Sequence, residues 1–324
     1  MRQLPYLTMA ATAVFTLAAG WTHAADSYPT RPIRMIVPWA PGGGSEISAR
    51  IMSLKLGELL GTTIVIDTRP GAASMLGTQL AARAQPDGYT LLYTDLPVTI
   101  NPAVNKNVGY DLKKDFVPIS MVATSPALLV MHPSVPAASL AEYIALAKAQ
   151  PGKVTLGHGG VGATTHVVGE LFQLRAGIKL NPVPYKGTGP AVADTVAGQI
   201  QSAISTMPAA VPNIQAGRLR GLGIAGKKRS AAIPDVPTMA EAGVKGVEGE
   251  NWNGVLAPTG VQPAILALLN REIVKAVNTP QIKERFATFS LEAISTTPEE
   301  FRKVIDFELK RWAEVVKAAN IQAE

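Results

Sequence analysis

Residues 32–50 read PIRMIVPWAPGGGSEISAR, and they decide the fold. PIRMIVPW (32–39) is a nearly continuous apolar run, the pattern of a strand covered on both faces. SEISARIMSLKLGELLG follows with helical periodicity, Ile47, Ile51, Leu54 and Leu59 forming its apolar stripe and Gly61 its stop. Three glycines join the two. Glycine permits positive φ and lets another group touch the main chain, so a phosphate, a carboxylate, or a tight turn with no ligand would each account for them.

The same grammar repeats outward. TTIVID (62–67) is a second strand, SMLGTQLAARAQ a small-residue helix, and YTLLYTD (89–95) a third strand. Strand and helix alternating at this spacing predict βαβ units on a parallel sheet. A second set follows: a helix over SLAEYIALAKAQPGK (139–153), a strand over VTLGHGG (154–160), and a helix over 165–177 with Val167, Leu171 and Leu174 on its stripe. Residues 181–206 supply strand, glycine turn, helix and strand, and RLRGLGIAG (218–226) a further short strand. A long helix closes the pattern at 296–320. Its start is a capping box built from Thr297, Pro298 and Glu300, and positions 301, 304, 305, 312 and 315 form its core-facing stripe.

Two α/β sets imply two lobes with a cleft between them. The extended stretches VPISMVATSPALLVMHP (117–133) and NWNGVLAP (251–258) are the expected crossovers. The division expected is 25–126 for the first lobe, 127–250 for the second, and 251–324 returning to the first.

Composition narrows the function classes. With 47% apolar and 17% charged residues the chain is globular material. The formal charge of +6 is spread along the sequence, with no basic run longer than KKR at 227–229, which argues against a nucleic-acid surface and suits a small anion. At the N-terminus Arg2, the apolar stretch LTMAATAVFTLAAG (7–20) and the small residues Thr22 and Ala24 predict a signal peptide over 1–24, cleaved near Ala24/Ala25, and hence a periplasmic protein. There is no cysteine to carry a lipid anchor or a disulfide.

The glycine loops fail the tests for nucleotide chemistry. G-x-G-x-x-G from Gly42 needs glycine where Ile47 stands, and the phosphate-loop pattern in GHGGVGAT (157–164) needs lysine where Ala163 stands. No G-x-S-x-G, thiol or H-E-x-x-H is present, so no catalytic residue, metal site or cofactor is expected. His158, in a glycine loop, is a candidate donor to an anion, while His166 reads as a polar residue at a helix N-terminus before a metal ligand. What remains is binding chemistry. Helix N-termini at the C-terminal ends of strands aim N–H groups at a gap, Ser45 can cap one, and Thr94–Asp95, Ser205–Thr206 and YKGTGPA (185–191) follow other strands.

Words spread over nearly all of the chain carry a resemblance: YPTRPIRMIVPWAPGGGSEISAR, DTRPGAASMLGT, QPDGYTLLY, INPAV, DFVPISMVATSP, HVVGELF, VPYKGTGPAVADTVAGQ, AGRLRGLGIAGKKRSAAIPDVPTMAEAG and NWNGVLAP. In this order they resemble the periplasmic solute-binding proteins of tripartite tricarboxylate transporters, the Bug family. The resemblance implies a two-lobed, type II-like periplasmic binding fold with a hinged cleft. It also implies a small carboxylate ligand, a di- or tricarboxylate or an aromatic acid, gripped by main-chain amides and waters. The implied partner is the membrane permease, the protein itself being a monomer. Sensing for the same ligand class and, further off, a secreted hydrolase are the alternatives. By position, first-lobe contacts are implied at Trp39, Ala40, Gly43, Gly44, Ser45, Glu46, Arg69, Gly71, Ala72, Thr94 and Asp95. The second lobe contributes His158, Gly160, Gly162, Ala163, Thr164, Thr165, His166, Tyr185, Lys186, Ser205 and Thr206. The chain departs from the family's habits in Glu46 and Ser205, where Asp is common, in Ala163, where Ser is frequent, and in Trp39, where Phe is frequent. Serine at 205 leaves no acid there to face a ligand amine, which argues against an amine-bearing ligand.

Overall fold

The computed structural model describes residues 28–105 and 107–318; the signal peptide expected over 1–24 and its cleavage point lie outside them. In chain order the elements are β1 (Ile33–Val37), α1 (Gly44–Leu60), β2 (Ile64–Thr68), α2 (Met75–Ala82), β3 (Thr90–Asp95), α3 (Pro97–Val104), β4 (Phe116–Met131), α4 (Leu140–Ala149), β5 (Thr155–His158) and α5 (Thr164–Ala176). They continue with β6 (Asn181–Pro184), α6 (Thr188–Val196), β7 (Ser202–Thr206), α7 (Met207–Gln215), β8 (Arg220–Ala225), β9 (Glu250–Pro258), α8 (Pro263–Val277), α9 (Pro280–Ala287), β10 (Glu292–Ala293) and α10 (Pro298–Ala318).

β1 pairs in parallel with β2 and β3, and β5 in parallel with β6 and β7, as the two βαβ sets require. The 16-residue β4 ties the two groups together. Over Phe116–Pro126 it runs antiparallel to β9, and over Ala127–Met131 antiparallel to β7 on one side and β8 on the other. β9 leaves its first pairing at Glu250↔Pro126, next to the Ala127 N–H that donates to Gly249 O at 3.1 Å. Two adjacent chains therefore cross between the lobes, and the fold is a two-lobed α/β binding-protein architecture with a hinged cleft.

Alternation along β4 gives each lobe a core on both faces of its sheet. Leu129 and Met131 join Tyr143, Phe172 and Ile204 on one face, and Leu128 and Val130 join Ala203, Met207 and Val211 on the other. In the first lobe Met35, Val37 and Tyr93 pack with Leu269 and Ile273 of α8. Ile36 and Leu92, on the opposite face, pack with Phe301, Ile305 and Trp312 of α10. The capping box of α10 forms as read, Thr297 N–H donating to Glu300 Oε2 at 2.8 Å and Glu300 N–H to Thr297 Oγ1 at 3.2 Å.

Each of two helical stripes has one leucine that turns to solvent. Leu54 of α1 is 74% exposed and Leu174 of α5 is 71% exposed. The fully buried face of α1 includes Ser45, Ser48, Ala49, Met52 and Leu56, with Ile51 and Leu59 partly buried against the core; that of α5 includes Thr165, Val167, Val168, Gly169 and Phe172, with Leu171 partly buried beside it. Small side chains let both helices approach closely; a methyl group on Gly169 would already lie 3.2 Å from Leu156 Cδ2.

Candidate functional site

A cavity of about 30 Å³, room for about one or two waters, lies between the lobes. Trp39, Gly43, Gly44, Ser45, Asp95 and Pro97 line it from the first lobe. Gly159, Ala163, Thr164, Thr165, Thr188 and Thr206 line it from the second, and Asn251 at the start of β9 completes it. Direct contacts hold the lobes together around it: Ala40 N–H donates to Lys186 O at 3.3 Å, and Thr164 Oγ1 to Asn251 Oδ1 at 3.3 Å.

Its walls are helix beginnings. α1 has its N-cap at Gly43, α5 at Ala163, α6 at Gly187 and α7 at Thr206, and none of the four caps makes a side-chain hydrogen bond to its helix. α4 and α9, which start elsewhere, are capped by Ser139 and Thr279. α2, α3 and α8 also lack a side-chain cap, and α3 begins at the lining residue Pro97, whose nitrogen carries no hydrogen; what distinguishes the four is that each brings non-proline N–H groups to the same space. Free N–H groups and positive dipole ends from both lobes thus point at one small space.

Among the described residues no lysine, arginine or histidine lines that space, and its one ionisable side chain is Asp95. Trp39 Nε1 donates to Asp95 Oδ1 at 2.9 Å and Ser45 Oγ to Oδ2 at 2.7 Å, while Asn253 Nδ2 donates to Ser45 Oγ at 3.0 Å. Burial pushes the Asp95 carboxyl up to about 6, against the hydrogen bonds from Ser45, Trp39 and Asn251 that favour its charged form. Asn251 Oδ1 also accepts from Leu96 N–H at 3.2 Å.

Other residues expected at the site stand one layer back. Glu46 is buried, accepts from Gly42 N–H at 3.1 Å and pairs with Arg50, so it braces the glycine loop. His158 is 3% exposed and its Nδ1 accepts from Gly160 N–H at 3.3 Å; His166 Nδ1 accepts likewise from Gly162 N–H. The rings are 4.7 Å apart, and burial, then the neighbouring His166, pulls the His158 pKa down to about 4. These two imidazoles hold the Gly159–Ala163 loop, with their Nδ1 atoms acting as acceptors.

Arg69 is half exposed and paired with Asp67. The segment after Gly71 has three consecutive non-glycine residues at positive φ, Ala72 (47°), Ala73 (47°) and Ser74 (79°). Asn101 Nδ2 holds this turn through Ala73 O at 2.7 Å, and the turn faces the second lobe, Ala73 lying against Gly160 and Gly162. Ala40 and Lys186 meet across the cleft through their main chains. Thr94 is buried on the strand beside Asp95. Tyr185 donates to Asp194 at 2.7 Å, and Ser205 donates to Thr206 O at 3.1 Å; neither side chain lines the cavity. Pro97, Gly159, Thr188 and Asn251 are lining residues that the sequence reading did not single out. Thr188 lies inside the YKGTGPA turn. Asn251 could be found only through partners 155 and 87 residues away, Leu96 and Thr164.

No helix among the described residues is long and apolar enough to cross a membrane, and no group of three or more metal-ligating side chains occurs among them. Residues 48–321 match the model of the tripartite tricarboxylate transporter family receptors. Protein BugT of Bordetella pertussis is 39% identical over 95% of this chain and 96% of its own length. The structure of the periplasmic binding protein BugD superposes with a TM-score of 0.89 at 30% identity, covering 92% of this chain and all of that one. An adipate-bound protein of R. palustris does so with a TM-score of 0.87 at 32% identity, over 91% and 99% of the two chains. The chain therefore belongs to the tripartite tricarboxylate transporter receptor family, as a periplasmic solute-binding protein of the Bug type.

Proposed function

We propose that this protein captures a small organic acid in the periplasm and delivers it to a tripartite tricarboxylate-type membrane permease. One observation carries the reading: four uncapped helix N-termini from two lobes meet at one cavity whose described lining holds no side-chain cation. Charge-assisted bonds from main-chain amides suffice to hold a carboxylate, and the dipole ends of α1, α5, α6 and α7 add to them. The adipate bound to the R. palustris relative supports a carboxylate ligand class.

In this reading the lobes correspond to 25–126 with 251–324 and to 127–250. They open about the paired crossovers at Pro126–Ala127 and Gly249–Glu250, and the acid enters before they close. The contacts are Trp39, Gly43, Gly44, Ser45, Asp95, Ala163, Thr164, Thr165 and Thr206, with Thr188 and Asn251 added. A thermal-shift screen of aliphatic, substituted and aromatic acids tests the reading, because a ligand that binds only the folded state must raise the melting temperature. Stabilisation by at least one acid is expected. A purified protein that no small acid stabilises would sink it.

A further inference from the structure

The cavity is built for an anion by its helix ends, yet its only ionisable lining residue among those described is itself an acid. Asp95 is 5% exposed, and its partners, the Trp39 indole, the Ser45 hydroxyl and the Asn251 amide, are all neutral. Besides these three, Asp95's own N–H also bonds the carboxylate, so among the described residues no cation offsets the buried charge. The bonds also use up their donors. The indole has a single N–H, and the Ser45 hydroxyl gives its proton to Asp95 while accepting from Asn253. Neither can turn to a ligand's acid group, which is left to the main-chain amides. A second bare carboxylate placed beside Asp95 would set two like charges together in a desolvated space. An N–H or O–H group there would bring a further donor in place of a like charge, and an ammonium would also neutralise the buried charge.

Resting on the receptor reading above, we propose that Asp95 is the specificity-determining residue of this site. It selects a small acid that carries a hydrogen-bond donor, ammonium or hydroxyl, within a few atoms of its carboxylate, over the same acid without one. This revises the expectation drawn from Ser205. The acid that faces a ligand donor stands on the first lobe at 95, and the Ser205 side chain lies outside the cavity lining.

Matched ligands test it on the purified mature protein by isothermal titration calorimetry. Succinate, malate and aspartate share one skeleton and differ at a single carbon in H, OH and NH3⁺. Glutarate, 2-hydroxyglutarate and glutamate repeat the comparison one carbon longer, and 3-phenylpropionate, 3-phenyllactate and phenylalanine repeat it on an aromatic acid. In whichever series binds, a donor-bearing member should bind about tenfold to a hundredfold tighter than the bare acid, the range expected of a hydrogen bond to a charged group, with the ammonium member leading. Asp95→Asn should shrink that preference to less than about threefold while still binding the bare acid. Asp95→Ser should do the same, which guards against a misplaced carboxamide in the first variant, and circular dichroism checks that both variants are folded. The proposal is overturned if the bare acid binds wild type as tightly as its substituted partners, or if the preference survives in both variants. If no member of any series binds and no acid stabilises the protein, the receptor reading itself fails, and this inference falls with it.

Discussion

Gly44 and Thr206 oppose each other across the cleft so closely that a methyl group on Gly44 would lie 2.6 Å from Thr206 Oγ1. Gly44 is the first residue of α1 in one lobe, and Thr206 is the N-cap of α7 in the other. Gly189 repeats the relationship from the far side, where a methyl group would collide with Pro41 O. The bare backbone at 42–44 therefore has two duties. It exposes amides to the cavity, and it lets the opposite lobe come within van der Waals reach.

Adding side-chain bulk at this contact should block closure while leaving each lobe folded. Gly44→Val is expected to abolish the thermal shift given by the best ligand, and small-angle scattering should show no contraction on adding it. Thr206→Gly in the same chain removes the opposing oxygen and methyl, and should restore part of both responses. A Gly44→Val protein that closes and binds as wild type does would show that the contact is incidental.

The left-handed turn Ala72–Ser74 stores backbone strain, since αL costs a non-glycine residue about 1–2 kcal/mol. Ala72 is exposed, so Ala72→Gly relieves strain without losing packing; a gain of up to about 1 kcal/mol is expected, read as a higher urea midpoint at unchanged slope. Ala73 is buried in the core, so the same exchange there should gain less. Asn101→Ala removes the bond to Ala73 O and should cost about 1–3 kcal/mol.

Stability should depend on pH through two buried groups of opposite sign. His158 titrates in the folded protein at about 4, below its ordinary 6.5. It therefore contributes stability that is present above pH 6.5 and lost as pH falls through about 4. Asp95 titrates at about 6, above its ordinary 3.8, so its contribution is present below pH 3.8 and lost as pH rises through about 6. Denaturation curves between pH 4 and 6.5 should show His158→Asn, which keeps an acceptor for Gly160 N–H, flattening the loss towards acid. Asp95→Asn should steepen it over the same window. Equal slopes in all three proteins would contradict these assignments.

Asn251 joins the hinge strand to both lobes, accepting from Leu96 N–H and Thr164 Oγ1 and bonding Asp95. Asn251→Ala leaves a buried N–H and a buried carboxylate each short of a partner. It should lower stability by about 1–3 kcal/mol and weaken ligand binding by at least about tenfold. Calorimetry and denaturation on the same preparation check both numbers.

Much of this was legible in the sequence because it is locally encoded. The apolar run at 33–37 and the Thr297–Glu300 box each report their own backbone, and the structure forms both as read; the glycines at 42–44 do turn the chain into α1, but Gly43 is its N-cap and the Ser45 hydroxyl goes to Asp95 rather than capping the helix. α7 was not legible: MPAAVPNIQ carries Pro208 in its first turn and Pro212 inside it, a pattern that reads as a breaker, yet the element is helical and aims its N-terminus into the cavity. Leu54 and Leu174 misled because close helix packing, here by Ser48, Ala49 and Gly169, buries small residues and turns large ones outward. The pairing of Asp95 with Trp39 and Ser45 spans 56 and 50 residues, and no local pattern encodes it.

The most direct test of the central claim is a crystal structure of the protein grown with the acid that raises its melting temperature most. Main-chain N–H groups of α1 and of at least one of α5, α6 and α7 should lie about 3 Å from the ligand's carboxylate oxygens, with the acid enclosed between the lobes. A carboxylate held by a lysine or arginine side chain, or lying outside the space between Gly44 and Thr206, would contradict it.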